Sequence, residues 1–313
     1  MRRGTFLASA AALAAADAPA VVRAQGLTPL VVSPLTGPTE ASMYYAIQQG
    51  WFKTAGLDLQ VEPLANGSSG MSAVVGGSVQ FAFGNVISLA EAHLNGIPIT
   101  IVAPGAPYDT NDASIELLVA GPAPIHSAKD LVGKTIAVPS LHDLITIAVQ
   151  GWLDANGADS NSVHFIEIKP SLMPSSLMAG RVDAITIYDP FVSVAKDQGA
   201  RLLGKPLDSI APHFLVAAWF VHQPWADSHR DLVSAFTTTI NRGTAYVNAH
   251  QQEILPMIAG YTHIPLETLR KMAFPPTPTT LSTAMIQPVI DAAAKYHAIR
   301  AAFPAKELLF LSP

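Results

Sequence analysis

Slid along itself by 103 positions without a gap, the chain sets Gly77 on Gly180, Val79 on Val182, Ala92 on Ala195 and Gly96 on Gly199. Upstream, at an offset of 101, Trp51 meets Trp152, Gly56 meets Gly157 and Asp58 meets Asp159. Both copies read as glycine, polar residue, valine, polar residue, a short apolar-leaning run and a polar break, and the matches keep one order in both halves. A period this long marks a duplication and not a short-period array. It constrains the chain to two lobes of one α/β design, each offering loops at its strand ends. The cleft between such lobes is where a small molecule sits.

The local pattern agrees. In the first half, short apolar or alternating runs at residues 30–32, 58–62, 79–83 and 99–103 read as strands. A capped helix opening near Thr39 and helices over 71–75 and 87–94 separate them, with residues 66–70 as a turn cluster. The second half repeats the plan: strands over 134–138, 163–168 and from Gly180 onward, a helix from about Asp143 to Leu153, and another through Leu177. This rhythm predicts a mostly parallel sheet with helices on its faces in each lobe. Residues 115–120 read as a strand leaving the first lobe and 213–221 as the chain crossing back; two crossings make a hinge. The remainder is predicted helical over 232–248, 251–259 and 282–300.

Length and composition narrow the function. At 313 residues the chain suits about two domains, and 50% hydrophobic residues supply their cores. A charged fraction of 13%, a net charge of −5 and no basic cluster beyond the first few residues exclude a nucleic-acid partner. With no cysteine there is no disulfide, thiolate metal site or lipid-anchored cysteine. The 10 histidines fall at irregular spacings without HExxH, and no GxSxG, P-loop or GxGxxG occurs. The sequence therefore predicts no metal, no cofactor and no catalysis.

Residues 1–24 read as an export signal. Arg2-Arg3 precedes an apolar run from Phe6 to Ala16, and Val22-Arg23-Ala24 offers a cleavage site after Ala24. The run is 11 residues, against the ~20 needed to span a bilayer. The arginine pair followed by Phe6-Leu7 resembles a twin-arginine signal with one extra residue; a general secretory signal is the alternative. Either route makes the remainder an exported protein with no membrane insertion of its own.

The candidate binding residues lie in six strand-to-helix loops: 33–36, 66–69, 84–85, 140–143, 169–171 and 188–189. In a parallel sheet these emerge at the carboxyl edge and bring helix N-termini, with their partial positive charge, to one mouth. They supply Thr36, Asn66, Ser68, Ser69, Asn85, Ser140, His142, Lys169, Tyr188 and Asp189. Ser68, Ser69 and Ser140 are either donors to a ligand oxygen or ordinary N-caps. Lys169 either pairs an anionic ligand or is a solvated surface lysine. Tyr188 either contacts ligand or packs between lobes, and Asp189 either caps the next helix, ties a hinge hydrogen bond or meets the ligand. His142 sits in a predicted cleft loop. Helix N-termini around a weakly basic cleft point to a small organic acid or sulfonate. No arginine cluster is present to grip a multiply charged one.

Residues 43–58, MYYAIQQGWFKTAGLD, resemble the opening helix of the nitrate/sulfonate/taurine-type periplasmic solute-binding proteins of ABC transporters. So do residues 133–139, GKTIAVP, and 180–191 with their Asp-Pro. The resemblance covers nearly the whole mature chain. It implies the type II periplasmic-binding-protein fold: two α/β lobes, each a mostly parallel sheet flanked by helices, joined by a two-stranded hinge that closes on a solute. That solute would pass to a membrane permease with its ATPase, the binding protein acting as a monomer in the periplasm. Residues 25–116 and 213–313 would form a discontinuous first lobe and 117–212 the second. Residues 66–69, Asn85, Ser140 and Tyr188 would contact ligand, Tyr188 standing where the family often has tryptophan, which argues against taurine or an alkanesulfonate. Two enzyme classes share the fold, in thiamine-pyrimidine and menaquinone precursor synthesis. The first depends on a cysteine-rich stretch and the second acts in the cytoplasm. A sensor in place of the permease is a further alternative.

Overall fold

Both halves of the repeat build the same sheet. The computed structural model describes residues 26–63, 67–141 and 143–310. The expected export signal, Asn66 and His142 lie outside the described residues. The first half runs β1 (Thr28–Ser33), α1 (Ala41–Gln48), α2 (Trp51–Thr54), β2 (Leu57–Val61), α3 (Gly67–Val75), β3 (Phe81–Asn85), α4 (Val86–Leu94) and β4 (Ile99–Pro104). A short β5 (Pro107–Asp109) leads to β6 (Ile115–Ala120), β7 (Thr135–Val138), α5 (Leu144–Ala155), β8 (His164–Glu167), α6 (Met173–Met178), β9 (Ala184–Tyr188), α7 (Phe191–Asp197) and β10 (Ala200–Gly204). The chain returns through β11 (His213–Leu215) and β12 (Ala217–His222). It ends in α8 (Gln223–Ser228), α9 (Arg230–Ala249), α10 (Gln251–Thr262), α11 (Leu266–Leu269) and α12 (Gln287–Lys295).

The first sheet has the order β2-β1-β3-β12-β4 and the second β8-β7-β9-β6-β10. In each, the fourth strand is the antiparallel one, β12 in the first and β6 in the second. The two sheets therefore match strand for strand. The glycines that marked the repeat explain why it survived in the sequence. Gly56, Gly77 and Gly96 have φ of 82, 77 and 75°, and their counterparts Gly157, Gly180 and Gly199 have 75, 65 and 98°. Each follows a helix end and turns the chain toward the next strand in a left-handed conformation that side chains with a Cβ disfavour.

Three details differ from the expectation. β6 lies wholly in the second sheet, so the strand that leaves the first lobe is the shorter β5. α3 begins at Gly67, so the glycine–serine cluster is helical and packs on β3, with Gly70 against the Ala82 side chain. The final helix does not run over 282–300: a 3₁₀ turn at Thr283–Met285 precedes α12, which starts with Pro288 in its first turn, where a missing N–H is tolerated.

β5 and β11 pair antiparallel, with Tyr108 opposite Phe214, and form the two-stranded hinge. Its rings lie 5.2 Å apart and the Tyr108 hydroxyl donates to Asp208 at 2.8 Å. One core, between α3, α4, α12 and the first sheet, continues through Tyr108, Phe214 and Leu215 to Leu144 and Ile147 of α5. The other face of that sheet is filled by Phe52, Phe81, Trp219 and Phe236 under α1 and α9. The second sheet has a core on each face, one centred on Leu117, Ile136 and Leu153, the other on Ile185, Ile187 and Leu177.

Candidate functional site

The chain leaves β4 at its carboxyl end, crosses by β5 and enters β6, whose first residue Ile115 pairs with Tyr188 at the carboxyl end of β9. β12 returns beside the same edge: Val86 N–H donates to Val216 O at 3.0 Å and Val216 N–H to Ala106 O at 2.8 Å. The carboxyl edges of both sheets thus adjoin the hinge, and the loops that follow their parallel strands border one cleft.

From the first lobe come the loop after β1, with Ser33 buried and Thr36 exposed, the start of α3 with Ser68 and Ser69, and Asn85 at the end of β3. Asn85 is the N-cap of α4, its amide oxygen accepting from Ile87 N–H at 2.8 Å, which leaves its amide N–H groups as the donors it can present. At the start of α1, Glu40 is 1% exposed. Its Oε2 accepts from Gly37 N–H and Thr39 Oγ1, both at 3.1 Å, while Oε1 has no hydrogen-bond partner. Burial pushes the Glu40 carboxyl up to about 8. Its charge in turn raises Tyr44 and Tyr261, whose rings stack at 4.1 Å beside it, although burial is the larger cause for both.

The second lobe contributes Ser140, Lys169, Tyr188 and Asp189. The cap of α5 is Asp143 and not Ser140: Thr146 N–H donates to Asp143 Oδ1 at 3.0 Å, and the Ser140 carbonyl accepts from Thr146 Oγ1 at 2.6 Å. Burial holds the Asp143 carboxyl above the usual range despite those bonds. Tyr188 is 40% exposed at the end of β9, its ring meeting Phe191 edge-on at 6.2 Å. Partial burial, then the nearby Asp143 carboxylate, raises its hydroxyl above the ordinary range. Lys169 is exposed.

Asp189 caps the next helix, and its second oxygen reaches the segment after α11 and not the hinge strands. Oδ1 accepts from Ser193 N–H at 3.1 Å and Ser193 Oγ at 2.8 Å, capping α7, and Oδ2 accepts from Ala273 N–H at 3.2 Å. That last bond belongs to a strap that local sequence signals did not reveal. The segment after α11 is held to the first lobe by Asn248, which accepts from Thr277 N–H and donates to its carbonyl, and by Gln251 donating to Phe274 O. It is held to the hinge and second lobe by Asp112 accepting from Phe274 N–H at 3.1 Å and by a Lys271–Asp197 ion pair at 2.7 Å. Burial, chiefly, lifts the Asp112 carboxyl. The Asp112 and Asp189 carboxylates are therefore tied to backbone N–H groups.

Two surface grooves lie away from this edge. One is lined by Tyr45, Gln48 and Glu253 outside the first lobe, the other by Ile125, Lys134 and Leu177 on the second. Among the described residues no group of three or more histidine or acidic side chains is placed to hold a metal ion. No helix there is long and apolar enough to cross a membrane.

Comparison with known proteins agrees with this architecture. Over 219 residues the chain is 22% identical to a formylaminopyrimidine-binding protein of Halalkalibacterium halodurans, covering 69% of this chain and 64% of the relative. Over 176 residues it is 26% identical to a putative aliphatic sulfonates-binding protein of Escherichia coli, covering 53% and 51%. The chain thus spans less than two thirds of either relative. Among solved structures, the periplasmic aliphatic sulphonate binding protein SsuA of Escherichia coli superposes with a TM-score of 0.76 at 17% identity, covering 91% of this chain and 92% of that one. The desulfurization enzyme DSZB shares the fold at a TM-score of 0.69 and 13% identity, covering 90% and 96%. These likenesses fix the two-lobed periplasmic-binding-protein fold. The model of the NMT1/THI5 like family matches residues 38–254, and the chain belongs to that family.

Proposed function

We propose that the chain is the extracytoplasmic solute-binding component of an ABC importer. It captures a small anionic organic solute, sulfonate- or carboxylate-like, in the interlobe cleft. The observation that carries this reading is the hinge between two matched sheets whose carboxyl edges border one cleft. The N-termini of α1, α4 and α5 open at that edge and favour negative charge, with Lys169 the exposed cation in those loops. Ser69, Asn85, Ser140 and Tyr188, together with Thr36, are the residues assigned to the solute; Asp189 positions α7 and the strap. Closure brings contacts from both lobes onto one solute, and the ligand stabilises the closed state by that difference in contacts. The protein leaves the solute's bonds intact, works in the periplasm as a monomer after removal of residues 1–24, and delivers to a permease and its ATPase.

A second reading, a neutral aminopyrimidine-like ligand, is favoured by the Asp143 carboxyl at the start of α5, since a carboxyl can accept from ring or amino N–H groups. A thermal-shift and calorimetric screen against sulfonates, carboxylates, nitrate and pyrimidines separates the two. Anions raising the melting temperature, with a smaller radius of gyration by solution scattering, support the first. Stabilisation by sugars or cations alone, or turnover of a compound, defeats it.

A further inference from the structure

Beyond the hinge strands the lobes are joined on two further sides, and the two joints differ in kind. On the face of the first sheet that carries α4, helix α12 packs against α5 of the second lobe. Val289, Ile290 and Ala293 of α12 are buried in one apolar cluster with Leu144, Ile147 and Ala148 of α5. Gly151 of α5 admits the Tyr296 ring, whose hydroxyl donates to Asp154 at 3.0 Å. On the face that carries α1 and α9, the joint is the strap over residues 271–277. Its Met272 and Phe274 side chains pack on Ala41, Ile254 and Leu269 of the first lobe. It reaches the other way through polar groups. Ala273 N–H donates to Asp189, Phe274 N–H donates to Asp112 in the turn at Thr110–Asp112, and the Lys271 ammonium pairs with Asp197.

We propose that the strap is a latch and the α5–α12 joint a pivot, so that the lobes part on the strap's side and stay packed on the other. Separating α12 from α5 would expose several buried apolar side chains to water. Releasing the strap only exchanges hydrogen bonds within the protein for bonds to water, and its ion pair, with Lys271 55% and Asp197 61% exposed, is of the weakly stabilising surface kind. The two bonds between Asn248 and Thr277, with Gln251 donating to Phe274 O, keep the strap on the first lobe when it lets go of the second. Asp189 caps the start of α7 and Asp197 is its last residue, so the engaged strap grips that helix at both ends. The latch works on the lobes themselves, whatever solute they capture, and sets the ratio of closed to open protein before any solute arrives.

Because the chain has no cysteine, a donor and an acceptor dye can be placed by Lys53→Cys in α2 and Lys129→Cys in the turn before β7, both exposed positions. Single-molecule energy transfer on the full chain without solute then reads the ratio of closed to open lobes. Lys271→Glu sets like charges opposite one another and is expected to lower that ratio about three- to tenfold. Adding Asp197→Lys is expected to restore it. Arg270→Glu serves as the control: Arg270 pairs with Glu267 within the first lobe at 2.8 Å, and the ratio is expected to stay unchanged. Hydrogen exchange in Lys271→Glu is expected to quicken at residues 273–274 while residues 289–293 stay protected. An unchanged ratio in Lys271→Glu, a double variant that does not recover, or an equal change in Arg270→Glu overturns the latch. Exchange that rises over 289–293 together with 273–274 overturns the pivot.

Discussion

Replacing Glu40 with glutamine removes the most perturbed carboxyl in the first lobe, and its effect on stability should change with pH. Glu40 is 1% exposed, and Thr39 Oγ1 with the backbone N–H groups of Glu40 and Gly37 offsets its charge in part. Burial moves it from 4.5 to about 8. At about 1.4 kcal/mol per pH unit, that displacement links about 5 kcal/mol of folding stability to pH. The folded carboxyl keeps its proton up to about 8, whereas the unfolded one releases it above 4.5. In that window the folded state holds more protons, so its stability falls as pH rises. The contribution is fully present below the lower value and gone above the upper. The facing Tyr44 and Tyr261 are both pushed above 10 and stay neutral throughout. Glutamine keeps an acceptor for Gly37 N–H and Thr39 but carries no titrating proton. Urea unfolding followed by tryptophan fluorescence at roughly one-unit intervals from pH 5 to 9 measures the difference between the two proteins. Asp112 and Asp143, also raised by burial, are common to both and cancel. The variant should overtake the wild type by several kcal/mol at the alkaline end. Parallel stability curves would refute the reasoning.

Four other perturbations test the packing around the cleft. Asp189→Ala removes the cap on α7 and the bond to Ala273, and should cost about 1–3 kcal/mol while hydrogen exchange rises over residues 271–277; Lys271→Ala breaks an exposed ion pair and should cost under about 1 kcal/mol. Unchanged exchange in Asp189→Ala would mean the strap holds by other contacts. Gly243→Ala places a Cβ 2.4 Å from the Ser42 carbonyl oxygen and should push α9 off α1, costing about 1–3 kcal/mol in thermal unfolding; a neutral result would show that the helices can part. Lys196→Met leaves Glu116, 7% exposed, without the ammonium that donates to it at 2.8 Å, and should cost about 1–3 kcal/mol in thermal unfolding.

Much of the fold could be read from the chain because its signals are local. A helix that must reverse into a strand through a left-handed residue keeps its glycine, so Gly77 and Gly180, or Gly96 and Gly199, betray the duplication long after other identities have faded. The carboxyl-edge loops and the return strand over β12 carry equally local marks of capping and hydropathy. The hinge strand β5 does not, because three residues of no marked pattern become a strand only by pairing with β11, more than a hundred residues away. The same holds for β6, whose place is set by β9 and β10, and for the strap, whose backbone N–H groups find Asp112 and Asp189 only once the lobes have met. Nor does composition tell that Ser140 yields the α5 cap to Asp143, or that Glu40 ends up enclosed with one oxygen unpaired. Backbone conformation and amphipathic period are properties of neighbours in sequence. Register and desolvation are properties of neighbours in space, and the tertiary structure alone supplies those.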